Sequence, residues 1–128
     1  MMLGVRAAAA SVALGVALFV GASSVALAES TAACGEPGQP PCPLQGWMRS
    51  NLGAQLARRD FDGLAAGFER LAAAPPGDEY ASWSELARQG AEAARSKELA
   101  RVRSACRACH EEHRAKYRKD KRRAPAPP

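Results

Sequence analysis

The run Cys106-Arg107-Ala108-Cys109-His110 constrains this chain more than any other feature of its sequence. On a helix, residues at i, i+3 and i+4 share one face, so both sulfurs and the imidazole would face the same ligand. Cys-x-x-Cys-His is the attachment signature of c-type haem, and its sulfurs bond the vinyl groups while its histidine binds the iron. The sequence therefore predicts one covalent haem c, attached through Cys106 and Cys109 and ligated by His110.

Residues at this spacing could also form a redox-active dithiol or a zinc site. A redox-active dithiol of the thioredoxin kind would follow a strand, whereas residues 97–105 are helix-forming and rich in arginine. A zinc site could add His113 to the same helix face, but four ligands from one straight helix close a tetrahedron poorly. Covalent haem is the interpretation that the spacing favours.

The composition indicates a small all-α domain. Of the 128 residues, 47% are hydrophobic, and Ala, Leu, Arg and Glu dominate, while no run has the β-branched, alternating pattern of a strand. Apolar stripes at helical spacing predict helix 1 from after Pro43 to near Arg59 and helix 2 after its cap Asp60. They predict helix 3 after its cap Asp78, and helix 4 through the haem motif to about Lys119.

The boundary between helices 3 and 4 decides the architecture. Ser96 is the only capping candidate there, and without a break the two helices would form one long rod. With the break, residues 44–119 form a small antiparallel four-helix bundle. In that bundle Met48, near the start of helix 1, lies at the same end as His110 on helix 4.

Few residues of this chain could bind the second face of the iron. After residue 28 the chain contains one methionine, Met48, and one histidine besides His110, namely His113. Because His113 lies on the helix that carries His110, it cannot reach the opposite face of the same haem. The sixth ligand is therefore Met48, or else that face is open or occupied by water.

The N-terminal segment has the features of an export signal. Arg6 precedes an apolar stretch, and Ala26-Leu27-Ala28 provides a small-x-small cleavage site, so residues 1–28 are predicted to be a signal peptide. The alternative is an uncleaved anchor, which the glycine-interrupted, alanine-rich stretch disfavours. We expect a periplasmic protein with no stable membrane span once the signal is removed.

Proline and glycine define the flanks of the predicted bundle. Residues 29–43 form an extended arm, in which Cys34 and Cys42 are expected to pair as a local disulfide in an oxidising compartment. Lipidation of Cys34 is the alternative, although the preceding residues lack the usual leucine. Residues 120–128 are basic and then proline-rich, which predicts a disordered tail.

The net charge of +5 is unevenly distributed. Residues 101–123 contain ten Lys or Arg and three acids, whereas residues 44–100 contain seven Lys or Arg and eight acids. This surplus is either a solvated helix face or a docking patch for an acidic redox partner or an anionic membrane surface. Nucleic-acid binding is not expected, because aromatic residues do not interleave the basic ones in this exported chain.

These residues carry a family resemblance. A Cys-x-x-Cys-His motif late in an all-helical exported chain is similar to the class II cytochromes c, which comprise cytochrome c′ and its low-spin, methionine-ligated relatives. The resemblance covers residues 44–119 and implies a four-helix bundle in which His110 is the proximal ligand and Met48 occupies the distal position. It also implies that Arg114, four residues after the haem histidine, lies beside the proximal ligand. Cytochrome c′ relatives often pair through helices, but no exposed apolar stripe here requires a dimer, so the expected state is a monomer or a homodimer.

The sequence-based expectation is thus an exported monohaem cytochrome that transfers single electrons. No carboxylate pair or nucleophile-base arrangement indicates an enzyme. The alternative, which the resemblance to cytochrome c′ allows, is a five-coordinate haem protein that binds nitric oxide or carbon monoxide. In either case we expect aromatic side chains around the edges of the haem: Trp47, Phe61, Phe68 and Trp83.

Overall fold

The computed structural model describes residues 34–128 as four helices with no strand among them. The predicted signal peptide, residues 1–28, lies outside the described residues. Helix α1 comprises Pro43–Met48, a π-helical turn at Arg49–Gly53, and Ala54–Arg58; the others are α2, Phe61–Ala73, α3, Trp83–Arg95, and α4, Leu99–Asp120. The all-α prediction is confirmed for this part of the chain. None of its helices is long and apolar enough to cross a membrane.

Most of these helices begin and end where the capping residues in the sequence predict. Arg59 ends α1 in the left-handed conformation, with φ of 55°. Asp60 then caps α2, because its carboxylate accepts a hydrogen bond of 2.9 Å from the backbone N–H of Gly63. Helix α3 ends at the cap Ser96, Lys97 follows with φ of 58°, and α4 begins at Leu99. Helices 3 and 4 are therefore separate.

The start of the third helix differs from the prediction. Asp78 does not cap it; the helix begins at Trp83, with Ser82 at the cap position. Two consecutive turns occupy the intervening residues, since Tyr80 N–H donates to the Gly77 carbonyl and Trp83 N–H donates to the Tyr80 carbonyl. Tyr80 is 1% exposed. Burial of this ring outweighs the capping preference of Asp78.

The packing of the helices follows the chain order. Helix α2 packs on α3, α3 packs on α4, and the π-helical turn of α1 packs on α2. The core between them is apolar, and its most deeply buried residues are Leu64, Tyr80, Ala91, Ala93, Ala94 and Val102. The indole N–H of Trp83 donates to the Leu71 carbonyl at 2.9 Å, which joins the start of α3 to the end of α2.

Gly90 permits the close approach of α2 and α3, and its replacement should be costly. A Cβ atom at this position would lie 2.6–2.8 Å from ring atoms of the buried Phe68. We expect Gly90→Ala to lower the free energy of unfolding by about 1–3 kcal/mol, because the ring cannot move freely in a packed core. Urea denaturation measures this.

The matched control for this substitution is Gly46→Ala. A Cβ at Gly46 would meet its nearest atom, on Pro41, at 3.6 Å, which is an ordinary contact. The substitution should therefore be neutral or stabilise by up to about 1 kcal/mol through helix propensity. Equal denaturation midpoints for Gly90→Ala and the unaltered protein would show that the α2–α3 approach is not tight.

Candidate functional site

One cavity of about 560 Å³ is lined by all five residues that the sequence assigns to the cofactor: Met48, Cys106, Cys109, His110 and Arg114. Met48 comes from α1, and the other four come from α4. The rest of the wall is largely apolar and includes Leu44, Leu52, Leu56, Leu64, Phe68, Leu71, Trp83 and Tyr117. Its volume and its mixture of apolar walls with a few polar groups are typical of a cofactor or ligand site.

The cavity separates the first helix from the last. No Cα atom of residues 43–58 lies within 8 Å of a Cα atom of residues 99–120. The two helices that carry Met48 and His110 therefore face the same cavity without packing backbone to backbone. A gap of this kind between packed helices leaves room for a ligand between them.

The two thiols of the motif are half-buried and protonated at neutral pH. Within the described residues, neither Cys106 nor Cys109 forms a disulfide. Burial raises the pKa of Cys106, and burial together with Cys106 and Glu112 raises the pKa of Cys109 to about 11. Reactive dithiols of the thioredoxin kind have lowered pKa values, so the environment of this pair is the opposite of theirs.

His110 lies one residue beyond Cys109 at the cavity. Partial burial, followed by the positive charge of Arg114, lowers the pKa of His110. A lowered pKa favours the neutral imidazole, and only this form has a free electron pair for a metal ion. The Arg114 side chain, which lines the same cavity, thus helps to keep His110 in the form that binds metal.

A π-helical turn follows Met48 directly, and the sequence did not indicate it. In this turn the Ala54 N–H donates to the Arg49 carbonyl, five residues earlier. The turn contains one residue more than an α-helical turn and shifts later side chains by roughly 100°. Met48 and Leu56 are eight residues apart. Because the turn contains one extra residue, their side chains point in nearly the same directions as those of residues seven apart in a regular α-helix, and both line the cavity.

The packing of α2 explains where this turn occurs. A Cβ atom at Gly67 would lie 2.9 Å from the Asn51 carbonyl oxygen and 2.7 Å from a methyl group of Leu52. The backbones of α2 and the π-helical turn therefore meet closely at this glycine. The side-chain amide of Asn51 donates to the Trp47 carbonyl at 3.0 Å, and its oxygen accepts from Arg70. The Asn51 side chain therefore links the π-helical turn to the first turns of α1 and to α2.

His113 also lines the cavity, but its ring is held by protein groups. It is 5% exposed, and its Nε2 lies 3.1 Å from the Ser82 hydroxyl oxygen. Its ring centroid is 5.6 Å from that of Trp83 and 5.6 Å from that of Tyr80. Tyr117 stacks on Trp83 at 5.9 Å and completes the aromatic cluster.

Among the described residues that line the cavity, arginine is the only charged type and no carboxylate is present. The four arginines are Arg49, Arg114, Arg118 and Arg122. Arg122 pairs with Glu36 at 2.8 Å. Among the described residues, the other three have no carboxylate within 4.0 Å. This charge distribution suits an apolar ligand that carries anionic groups.

The cysteine-containing arm forms another part of the wall. Cys34 and Cys42 are joined by a disulfide, with their Cα atoms 4.8 Å apart. Residues 34–42 form what we call the disulfide loop, and its Gly35 and Cys42 line the cavity. Beyond α4, Lys121 and Arg122 lie in a turn, and Arg122 contacts this loop. The segment predicted as a disordered tail, residues 120–128, thus includes a residue of the site.

Only some of the residues that line the cavity were predicted from the sequence. Of the four aromatic residues expected around the cofactor, Phe68 and Trp83 line the cavity, whereas Trp47 and Phe61 do not. Trp47 instead packs beneath the Arg70 guanidinium, 5.2 Å from its ring centroid. No local pattern indicated Arg122 or Gly35, whose part in the site depends on contacts between the two ends of the described chain.

No protein-family model, curated protein or solved structure matches this chain. Among the described residues, no three His, Cys, Asp or Glu side chains are grouped so that they could hold a metal ion by themselves. The chemistry of the site therefore has to be interpreted from its own donor atoms and its cavity.

Proposed function

We propose that this protein is an exported monohaem c-type cytochrome of the class II kind, a small antiparallel four-helix bundle that carries single electrons. The observation that carries the proposal is the common cavity of Met48, Cys106, Cys109 and His110. Two free thiols one helical turn apart, an adjacent imidazole and a thioether from another helix form the donor set of a covalent, His/Met-ligated haem. The residues present therefore fit haem c.

Each part of the cavity has a defined task in this proposal. Cys106 and Cys109 would anchor the porphyrin, and His110 and Met48 would bind its iron. The bound haem supplies an iron centre that cycles between the ferric and ferrous states. The thioether of Met48 and the apolar wall favour the ferrous state, because a soft ligand and exclusion of water both raise the reduction potential. The three arginines that have no carboxylate partner among the described residues would neutralise the propionates.

The partner that fits this surface is an acidic redox protein. The ten Lys or Arg of residues 101–123 belong to the helix that carries the haem motif and to the turn after it. Such a surplus attracts an acidic partner towards the haem-bearing side of the molecule. No bond-making chemistry is part of the proposal, and the signal peptide of residues 1–28 would deliver the chain to the periplasm.

The mass and absorption spectrum of the matured protein test the proposal. Expressed with its signal peptide in a host that has haem-maturation machinery, the protein should exceed its polypeptide mass by one haem. Its reduced form should be low-spin, and its oxidised form should show the absorption band of a methionine-iron bond. A colourless product would contradict the proposal. A high-spin ferrous spectrum that shifts with carbon monoxide would indicate a gas-binding haem protein instead.

A further inference from the structure

The disulfide loop connects the start of α1 to the end of α4. On one side Cys42 directly precedes α1, and its backbone N–H donates to Gln45 Oε1 at 3.3 Å. On the other side the Arg122 guanidinium donates to the Cys34 carbonyl and to the Glu36 carboxylate, the latter at 2.8 Å. A continuous series of covalent and hydrogen bonds thus spans the interval between these two helices.

This connection matters because little else fixes the first turns of α1. No Cα atom of Pro43–Met48 comes within 8 Å of a Cα atom in α2, α3 or α4. The segment is attached to the core through three side chains: the buried Leu44, and Trp47 and Met48, which pack against the core. Trp47 also stacks with Arg70. Its position relative to α4 therefore depends on few contacts, and the disulfide loop supplies several of them.

The two ends of the disulfide loop are buried, whereas its residues 36–41 are exposed. Cys34 and Cys42 are 8% and 7% exposed. Gly35 has φ of +73°, and a Cβ atom there would lie 3.0 Å from Cys42 Sγ and 3.2 Å from Gln45 Oε1. The Gly35 N–H also donates to the Pro40 carbonyl at 2.7 Å, which closes the loop on itself. A loop with this packing transmits the position of α4 to α1.

We propose that Arg122 is a positioning residue for the distal ligand. Through the disulfide loop it holds Pro43–Met48 against the cavity, so that the Met48 thioether stays available to the iron. This inference rests on the proposed function, since it assigns Arg122 a role that only a Met48-ligated haem would need. Removing Arg122 should loosen the first turns of α1 and let other ligands compete with Met48.

The experiment compares three full-length, haem-loaded proteins: the unaltered chain, Arg122→Ala and the control Arg123→Ala. Arg123 is exposed and has no side-chain partner among the described residues. Its replacement by alanine removes the same charge as Arg122→Ala. We expect Arg122→Ala to weaken the methionine-iron band and to bind imidazole about tenfold faster in the ferric state. Hydrogen exchange at residues 43–48 should also be faster, while Arg123→Ala should match the unaltered chain.

Two further variants guard against a folding defect. Glu36→Gln removes only the charge that Arg122 pairs with, and Cys34→Ser with Cys42→Ser removes the covalent link without leaving a lone thiol. Both should shift the band and the imidazole rate in the same direction as Arg122→Ala, with the smaller shift for Glu36→Gln. If all three variants keep the band and the rate of the unaltered chain, the inference is overturned.

The outcomes also separate this inference from the proposed function. Faster hydrogen exchange with an unchanged methionine-iron band overturns the inference alone, because the loop would then hold α1 without positioning Met48. An unaltered chain that carries no haem, or haem without a methionine-iron band, overturns the proposed function and with it the role of Arg122. This result would appear before any variant is made.

Discussion

Replacing Cys106 and Cys109 together by alanine is expected to give a colourless protein that no longer unfolds cooperatively. The substitution removes both attachment atoms, and the cavity of about 560 Å³ then contains only solvent. At about 24 cal/mol per Å³, the cost measured for engineered dry cavities, the same volume left dry would cost on the order of 10 kcal/mol, which is the upper bound for this solvent-filled cavity. That is comparable to the entire stability of a small domain. The helices should therefore loosen around the cavity.

Circular dichroism during thermal unfolding measures this effect, and a haem assay measures the loss of the cofactor. The control is Arg107→Ala, which alters a residue between the two cysteines. Arg107 is exposed, and among the described residues its side chain bonds only Ser104, at 2.9 Å. This variant should keep one haem per chain and the original melting temperature. A double cysteine variant that melts as sharply, and at the same temperature, would show that the cofactor is not structural.

Replacing Met48 by leucine is expected to keep the haem but change its spin state. Leucine fills a similar volume, so the wall of the cavity is preserved while the thioether sulfur is lost. The ferrous iron should become high-spin and bind carbon monoxide, and the reduction potential should fall by on the order of 100 mV. His113 cannot take over, because it lies on α4 with His110 and its Nε2 is 3.1 Å from the Ser82 hydroxyl.

Absorption spectroscopy and a redox titration measure these changes. Leu56→Ala is the control, because Leu56 also belongs to α1 and lines the cavity but offers no ligand atom. It should preserve the methionine-iron band even if it lowers the stability of the protein. An unaltered low-spin spectrum in Met48→Leu would mean that the distal ligand comes from another residue.

The features that could be predicted from the sequence are those with local causes. The helix period, the cap at Asp60 and the separation near Ser96 each depend on a few neighbouring residues. The placement of Met48 in the cavity of His110 also followed from local information, since helix lengths and a break between helices 3 and 4 were enough to estimate it. The motif itself identified three of the α4 residues that line the cavity, Cys106, Cys109 and His110.

The features that escaped prediction depend on contacts between distant residues. Burial of Tyr80 moved the start of α3 from Asp78 to Trp83, and no local signal competes with burial of a whole ring. The contacts of Arg122 join residues 86 and 88 positions apart. Composition assigned that residue to a disordered tail because it contains no information about partners so far along the chain.

The π-helical turn at Arg49–Gly53 affects how this chain can be compared with others. A chain whose first helix is uninterrupted has one residue fewer between the positions that match Met48 and Leu56. An alignment without a gap would then place one of the two correctly and shift the other by a residue, which rotates its side chain by roughly 100°. Searches for related chains should therefore allow a one-residue insertion inside this helix.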